Sequence, residues 1–570
     1  MALTFDISQT PFSRYGSYYA ISHLSRKGLP LGDGVYIRTV HGQGVARSEL
    51  FRLEWADGAL VTPAEVTATP SQLLLTHKGG TTTSICISAP ETLRIFGRGP
   101  GLSLTMQPAP GVIAHPDEHG RWVINAAPSY RRYMFEPIVG ALQVDVLSMA
   151  DERGRRIHDR LAMHLLPNAE GLLDVAIDEF GSAWEPRERP AFEVCVSAAE
   201  ADFEAWLASM PPTAPALQLT QQHAAYVTWS SVVAPSGLFA RPAMLMSKNH
   251  MCQVWSWDNC FNAMALSYSH PQLAWDQLML IADHQDELGA FPDSVNDYVK
   301  QYNFSKPPVH GWALRFMRQR NPAFFTRDRL QEIYEPFARW ANWWLTYRVA
   351  GGERLPHYLH GNDSGWDNST IFDQGVPLIA PDLSALLALH CAELADVAYA
   401  VGDMKAALKW REVSNRLVSQ MVTELWRDDA FIGTRQFDHL LVPTNSLIAL
   451  IPVVAGERLP RPVQQALVAR VNAFTTEFGL ATERPDSPQY LADGYWRGPI
   501  WAPSTLLIAF GLSDLGKKPM ARQISERFCR LCAQSGFAEN FDALTGQGLR
   551  DPAYTWTASV FTILAHEFMG

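Results

Sequence analysis

Along the first third of the chain, apolar and polar positions alternate with a period of two. The cleanest stretches are Leu142-Gln143-Val144-Asp145-Val146 and Leu173-Asp174-Val175-Ala176-Ile177. That alternation is what a pleated strand with one buried face requires. Shorter runs at 35–40, 73–76, 85–87, 93–96 and 122–124 are separated by Gly, Pro, Asp and Asn, the residues that stop strands and build turns. Many short strands with turns between them predict an antiparallel β-sandwich over residues 1–200. The aromatic opening Pro11-Phe12-Ser13-Arg14-Tyr15-Gly16-Ser17-Tyr18 is expected to pack. A short helix at 202–207 runs into Met210-Pro211-Pro212-Thr213-Ala214-Pro215, and this Pro-rich break makes 201–216 the linker.

From 217 onward the period changes to 3.6. Asp382 is placed to cap a helix that carries Leu383, Leu386, Leu387, Leu394 and Val397 on one side. Gly402 ends it, and Asp403 starts another with Ala407, Trp410, Val413, Leu417 and Met421 inward, the cap chemistry that helices favour. About a dozen helical patterns follow to Phe568 with no strand set between them. Helices paired through short Gly–Asp turns over 217–570 predict an α/α toroid. Its site is expected at one mouth, where loops join successive helices.

The 570 residues exceed one ordinary domain, and 47% hydrophobic with 18% charged residues can fill two cores. A formal charge of −11 speaks against nucleic acid or an anionic membrane as partner and fits a small neutral substrate. Oligomeric state leaves no mark on the sequence. The seven cysteines read as reduced thiols, with Cys529 and Cys532 as buried helix residues rather than a metal or redox pair. No cofactor is implied, and the 17 His include no H-E-x-x-H or similar metal-ligand spacing. The start Met1-Ala2-Leu3-Thr4-Phe5-Asp6 carries no basic segment ahead of an apolar run, and no apolar segment looks long enough to span a membrane. A cytoplasmic protein is the expectation.

One segment concentrates chemistry: His360-Gly361-Asn362-Asp363-Ser364-Gly365-Trp366-Asp367-Asn368-Ser369-Thr370. Its residue types also make ordinary turns. Carboxylates beside Trp and Gly, however, suit a sugar pocket: a flat apolar face for the ring, and acids whose pKa burial can raise. Asn362 and Asn368 both open Asn-x-Ser/Thr triplets, and a glycan there would block such a pocket. Other polar–aromatic segments precede helices as well. Trp255-Ser256-Trp257-Asp258-Asn259 opens one, with Asp258 either an N-cap or a sugar-hydroxyl acceptor. Gly289-Ala290-Phe291-Pro292-Asp293 comes next. Lys306-Pro307-Pro308-Val309-His310-Gly311-Trp312 is expected to cluster Lys306, His310 and Trp312 at the mouth. Gly494-Tyr495-Trp496-Arg497-Gly498-Pro499-Ile500-Trp501 sets an Arg among aromatics, and Phe537-Ala538-Glu539-Asn540-Phe541-Asp542 precedes a turn.

Taken in this order, Trp257-Asp258, the Lys306-Pro307-Pro308 segment, Gly365-Trp366-Asp367-Asn368-Ser369, Tyr495 to Trp501 and Glu539-Asn540-Phe541 resemble glycoside hydrolase family 63 and its relatives, the mannosylglycerate hydrolases. Trehalases are more distant. The resemblance covers the helical half, residues 255–556. It implies an (α/α)6 toroid behind the N-terminal β-sandwich, a multidomain α+β fold, and an inverting α-glycosidase. Asp367 would then be the general acid and Glu539 the general base. Trp257, Asp258, Trp366, Arg497 and Trp501 would line the subsite of the cleaved sugar, with Lys306, His310, Asp363, Asn368 and Trp496 also counted as substrate-binding. Asp363 stands where Glu or another residue is expected, which keeps it as a competing acid. Inversion needs the two carboxyl groups ~6.5–9.5 Å apart so that a water fits between base and sugar, whereas ~5 Å implies retention.

Other classes leave weaker marks. No G-x-S-x-G is present, and Gly511-Leu512-Ser513-Asp514-Leu515-Gly516-Lys517 lacks the Ser/Thr and preceding strand of a phosphate loop. An epimerase or isomerase would need paired histidines, for which only His310 and His360 lie near the motifs. A sugar-binding protein would need neither Asp367 nor Glu539. The expected reaction is exo-acting hydrolysis of a small α-glucoside or oligosaccharide; an α-mannoside or glycosyl-glycerate is the alternative, and a trehalase comes after these.

Overall fold

The computed structural model describes all residues except 1–2, 26, 28, 30, 43–48, 107–108, 110, 151, 155, 352–353 and 570. The chain divides into two compact units. Residues 1–209, 225–253 and 296–298 make the first, and 210–224, 254–295 and 299–570 the second. The expected division at 1–200, 201–216 and 217–570 therefore differs from the observed one, because two later segments cluster with the first unit.

Two antiparallel sheets build the first unit. The six-stranded sheet runs, edge to edge, Tyr19–Leu24, Gly34–Thr39, Glu49–Trp55, Leu102–Met106, Arg156–Leu166 and Ala141–Ala150. The eight-stranded sheet runs Val66–Ala68, Leu73–Thr76, Thr82–Ala89, Thr92–Arg98, Leu172–Phe180, Arg131–Val139, Trp122–Ala126 and Val112–Pro116. One core joins them, with Ile21, Ile37, Leu53, Leu104 and Met163 from one sheet packed with Leu75, Ile85, Ile95, Phe135 and Val175 from the other. These are the alternate positions that the period of two selects. The aromatic opening packs within this unit: Arg14 donates to the carbonyls of Ile87 and Ser88 at 2.9 and 3.0 Å.

Helix α1 (Phe192–Ser209) is far longer than the 202–207 expected. Phe192, Cys195, Ala199, Phe203 and Trp206 recur at helical spacing and are buried, and Phe192 stacks on Phe96 at 5.0 Å. The helix thus belongs to the sandwich unit rather than to a linker. Helix α2 (Gln218–Ser231) follows the Pro-rich break.

In the second unit the helices are α3 (Asp258–Leu266), α4 (Pro271–Ala282), α5 (His310–Arg320), α6 (Arg327–Tyr347), the single turn α7 (Gly361–Ser364), α8 (Pro381–Val401), α9 (Met404–Leu425), α10 (Arg461–Arg470), α11 (Ala502–Asp514), α12 (Lys518–Ser535) and α13 (Thr555–Met569), with a 3₁₀ segment over Leu447–Arg458. Packing closes an inner ring in the order α3, α5, α8, Leu447–Arg458, α11, α13 and back to α3. Around it, α4 lies on α3, α6 and α9 on α8, α10 on the 3₁₀ segment, and α12 on α11 and α13. Six inner elements with these five helices around them follow the (α/α)6 plan. The two rings read differently in sequence. All nine residues of α3 are buried, whereas α9 buries only a stripe at Ala407, Trp410, Val413, Ser414, Leu417, Val418, Met421 and Leu425. A helix covered on every side needs no polar face; an outer one does.

Two local expectations change. Asp382 does not cap α8: Ala380 does, Pro381 takes the first helical position, and the buried Asp382 accepts from the Tyr358 hydroxyl at 2.8 Å. Proline suits that position because its missing N–H would be unpaired there anyway. Helix α8 is also long and apolar enough to cross a membrane by length and composition, contrary to the sequence reading, yet most of that span is buried inside the protein. Gly402 in the left-handed region and the Asp403 side chain accepting from Ala406 N form the turn into α9 as read.

Candidate active site

The inner helices α3, α8, α11 and α13 are entered through four polar–aromatic segments, and these segments bond to one another. Asn368 is the main connector. Its amide donates to Gly494 O at 3.0 Å, its Oδ1 accepts from Trp496 N at 3.0 Å, and its carbonyl accepts from Arg497 Nε at 2.8 Å. The 494–501 segment then pairs with the Glu539 segment through Ile500 N to Phe541 O (2.7 Å) and Phe541 N to Ile500 O (3.0 Å). Gly365 lets the first segment meet the α3 entrance: at φ +72°, a Cβ there would stand 2.4 Å from Trp257 Cε2. Gly361 allows the loop to close on itself, since its Cβ would stand 2.0 Å from the Asp367 carbonyl oxygen. No other residue type fits either place.

Four indoles floor this assembly. Trp496 stacks on Trp501 at 4.0 Å and 6°, Trp366 lies 4.6 Å from Trp496, and Trp257 meets both Trp496 (6.2 Å) and Trp556 (5.7 Å). Trp257, Trp366, Trp496 and Trp501 are only 1–2% exposed. They hold the loops mainly by packing on each other. Arg497 is likewise committed: besides Asn368 it pairs with Asp373 through both nitrogens, one at 3.1 Å.

The two aspartates of the 360–370 segment differ sharply. Asp363 is buried and saturated: it accepts from Ser305 N and Leu359 N, both at 2.8 Å, and pairs with Arg348 at 3.0 Å. Asp367 is half-buried, and a hydrogen bond to its carboxyl comes from its own backbone N–H. Burial pushes its pKa up, the Lys306 ammonium pulls it down, and the Asp293 carboxylate pushes up again. Lys306 is buried, paired with Asp293 at 3.0 Å and bonded to Asn362 O at 2.6 Å. Burial works against its charge, but Asp293, Asp367 and Asp258 outweigh burial and hold the ammonium. Asp258 is the first residue of α3, with Trp257 as the cap, so its N-cap reading fails. Burial drives its pKa far up, with Lys306 opposing.

Glu539 is 4% exposed. Burial first, then the neighbouring Asp551, raises its pKa to about 7, against a hydrogen bond from the Tyr495 hydroxyl at 3.1 Å. The same phenol senses Glu539, then Asp367, then Asp258, and burial keeps it protonated. Tyr495 therefore stands in the field of both candidate acids. Its φ of +63° is a left-handed value rare for a bulky residue, and Trp501 Nε1 holds its carbonyl at 2.8 Å. Strain of this kind persists where the surroundings over-determine it, and it clusters at functional sites. Sequence reasoning passed over Tyr495 as a site residue; its place between Gly494 and Trp496, in the segment nearest Glu539 in kind, was the available signal.

His310 is not part of the group. It is fully buried at the start of α5 against Phe291 (4.9 Å), Phe337 and Trp340, and burial lowers its pKa to about 3. Trp312 lies elsewhere too, lining a cavity of about 710 Å³ with Arg315, Phe316, Phe510 and Lys518. The cluster expected from Lys306, His310 and Trp312 thus resolves to Lys306 alone, because the one-residue steps of a helix send its side chains in different directions.

A closed double ring of helices whose loops gather several carboxyls with raised pKa values, Asp367 and Glu539 among them, is the frame of an (α/α)6 hydrolase of glycosidic bonds. Residues 251–557, more than half of the chain, match the family of the mannosylglycerate hydrolase MGH1-like glycoside hydrolase domain. A mannosylglycerate hydrolase of Thermus thermophilus is 34% identical over 387 residues, 54% of this chain and 92% of that one. Among solved structures, a family 63 mannosylglycerate hydrolase, also from Thermus thermophilus and in complex with glucose, superposes with a TM-score of 0.52 at 18% identity, covering 60% of this chain and 99% of that one. A bacterial glucoamylase complexed with acarbose covers 100% of this chain and 95% of its own, with a TM-score of 0.62 at 11% identity, a likeness of fold. The chain belongs to the MGH1-like glycoside hydrolase family, and it is a glycoside hydrolase.

Proposed function

We propose that the chain is an exo-acting, inverting α-glycosidase, with Asp367 as general acid and Glu539 as general base. The observation that carries this reading is the pair itself. Burial raises the pKa of Asp367, Glu539 and Asp258, none of them locked in an ion pair, and the first two lie in the two segments on either side of Tyr495, whose hydroxyl bonds Glu539 and whose ring senses Asp367. A carboxyl whose pKa burial raises, as at Asp367, is suited to deliver its proton to the leaving oxygen. One with a pKa of about 7 is poised to take a proton from water near neutrality. Asp363, fixed by Arg348 and two amides, is the positioning residue of its loop rather than the competing acid. Lys306 sits where it can steady the negative charge that Asp367 gains after donating its proton. Asp258 and the indole floor would bound the subsite of the cleaved sugar.

The substrate we favour is a small α-glucoside or short oligosaccharide. The mannosylglycerate hydrolase among the relatives supports the second reading, an α-mannoside or glycosyl-glycerate. Hydrolysis of a panel of α-linked disaccharides, glycosyl-glycerates and aryl glycosides, with NMR of the freshly released sugar, tests both. Release of the β-anomer, lost in Asp367→Asn and in Glu539→Gln, is the expected outcome. Release of the α-anomer would overturn inversion, and full activity in Asp367→Asn would remove it as the acid.

A further inference from the structure

Two stretches that stand out in the sequence stay outside the candidate active site. One is Trp312, the last residue of the Lys306 motif. The other is Gly511-Leu512-Ser513-Asp514-Leu515-Gly516-Lys517, which resembles a phosphate loop but lacks its strand and its final Ser/Thr. Both reach the same cavity of about 710 Å³, a size typical of small-molecule sites, roughly 300–1,000 Å³. The cavity lies where α5, α11 and α13 end and α12 begins. The polar–aromatic segments enter α11 and α13 at their opposite ends. The 13 residues of α11 alone set the two places about 20 Å apart.

One wall of the cavity is aromatic. Phe510 meets Trp312 at 5.9 Å, Phe316 at 5.6 Å and Phe568 at 5.3 Å. Phe510 itself is only half-buried, so a flat ring can pack on it. The rim is cationic, with Arg315, Arg320, Lys518 and Arg522 against Asp514 and Glu567. Arg320 is committed, since its guanidinium lies 3.4 Å over Phe316 and pairs with Glu567 at 2.5 Å. Arg522 pairs with Glu526 one turn along α12, and at 62% and 36% exposure that pair holds weakly. Arg315 and Lys518 are exposed and make no hydrogen bond or ion pair among the described residues.

The backbone does not do the work of a phosphate loop here. The amides of Leu515, Gly516 and Lys517 already donate to the carbonyls of Gly511, Ser513 and Leu512. Recognition of an anion therefore falls to side chains, and a guanidinium with an ammonium beside it suits a phosphate. A neutral sugar would leave these cations unmatched. A bare phosphate would leave the aromatic wall unused.

We propose that this cavity is a second ligand site, separate from the candidate active site, and that it takes a nucleoside phosphate. The base packs on Phe510, and Arg315 and Lys518 hold the phosphate with Arg522 in support.

Calorimetric titration of adenosine monophosphate into the full chain tests this. One saturable site is expected. Arg315→Gln and Lys518→Gln should each weaken it by about tenfold, the worth of one charged hydrogen bond. Both side chains are exposed, so the fold should survive either change. Lys78→Gln, which removes an exposed cation from a turn of the sandwich unit, should leave binding unchanged. Adenosine and inorganic phosphate, titrated separately, should each bind at least about tenfold more weakly than the nucleotide. Absence of binding would overturn the proposal, as would full binding in both cavity variants. Either half of the nucleotide held as tightly as the whole would overturn it too.

Discussion

The 360–370 segment and the Glu539 hairpin each carry one of the two candidate acids, yet they raise its pKa by different means. Around Asp367 the neighbours are mixed in sign: Lys306 opposes what burial and Asp293 impose. Around Glu539 burial and the Asp551 carboxylate act together, against the Tyr495 hydroxyl, the Asp551 backbone N–H and Arg550. The first environment can accept a charge that appears during the reaction, because a fixed ammonium is at hand. The second keeps a carboxylate only marginally ionised near neutral pH, which makes it basic. Two carboxyls can thus take opposite roles through the neighbours that each segment recruits.

The strongest way to break this comparison is to neutralise one acid at a time. Asp367→Asn and Glu539→Gln should each lower kcat by about 10²- to 10⁴-fold. A glycosyl fluoride, whose leaving group needs no proton, should restore turnover to Asp367→Asn and not to Glu539→Gln. Restoration in both or in neither would erase the assigned difference between the segments.

Next in size is a change that leaves the chemistry alone. Asp363→Ala strands the Arg348 guanidinium, the buried Ser305 amide and the partly buried Leu359 amide, so unfolding free energy should drop by about 3–5 kcal/mol. Urea denaturation reads this, with kcat per folded molecule kept within tenfold. A larger loss of kcat without loss of stability would return Asp363 to the chemistry.

The pH dependence of stability probes the Glu539 side. Its pKa in the folded protein, about 7, lies above the ordinary 4.5. The folded state therefore binds the proton more tightly than the unfolded chain does. That contribution is complete below pH 4.5 and is lost as pH rises through 7. Glu539→Gln should consequently be more stable than the wild type above pH 7, by up to about 3 kcal/mol, and equal to it near pH 4. Thermal unfolding at the two pH values measures it, and a constant difference at both would argue against a buried, titrating Glu539.

The smallest expected effect sharpens the role of Tyr495. Its hydroxyl stabilises the ionised form of Glu539, so Tyr495→Phe should move the acidic limb of the kcat/KM profile to higher pH by up to about one unit. An unshifted limb with uniformly lower activity would make Tyr495 only a packing residue.

Much of this was legible in one dimension. The period of two in residues 1–200 and the period of 3.6 beyond 217 follow from side-chain geometry on a strand and on a helix, so they announced the sandwich and the helical rings. Helix α1 was underestimated because the apolar positions from Phe192 onward make sense only against Phe96 and Cys86 of the sheet. The Gly365-Trp366-Asp367 and Glu539-Asn540-Phe541 motifs were visible because glycines, indoles and acids rarely crowd together without a reason. What the order of residues could not state was which groups lie side by side. Asp363 and Asp367 stand four positions apart and look alike in a list of acids, yet one meets Arg348 and the other Lys306. His310 shares a motif with Lys306 and is turned by α5 into an aromatic core. Tyr495 gains its place only when the 494–501 segment folds against Glu539, some forty residues on. The sequence by itself determined periodicities, caps and candidate acids, because these depend on local geometry. The tertiary structure alone decided partners and protonation, because burial and Coulomb fields act through space.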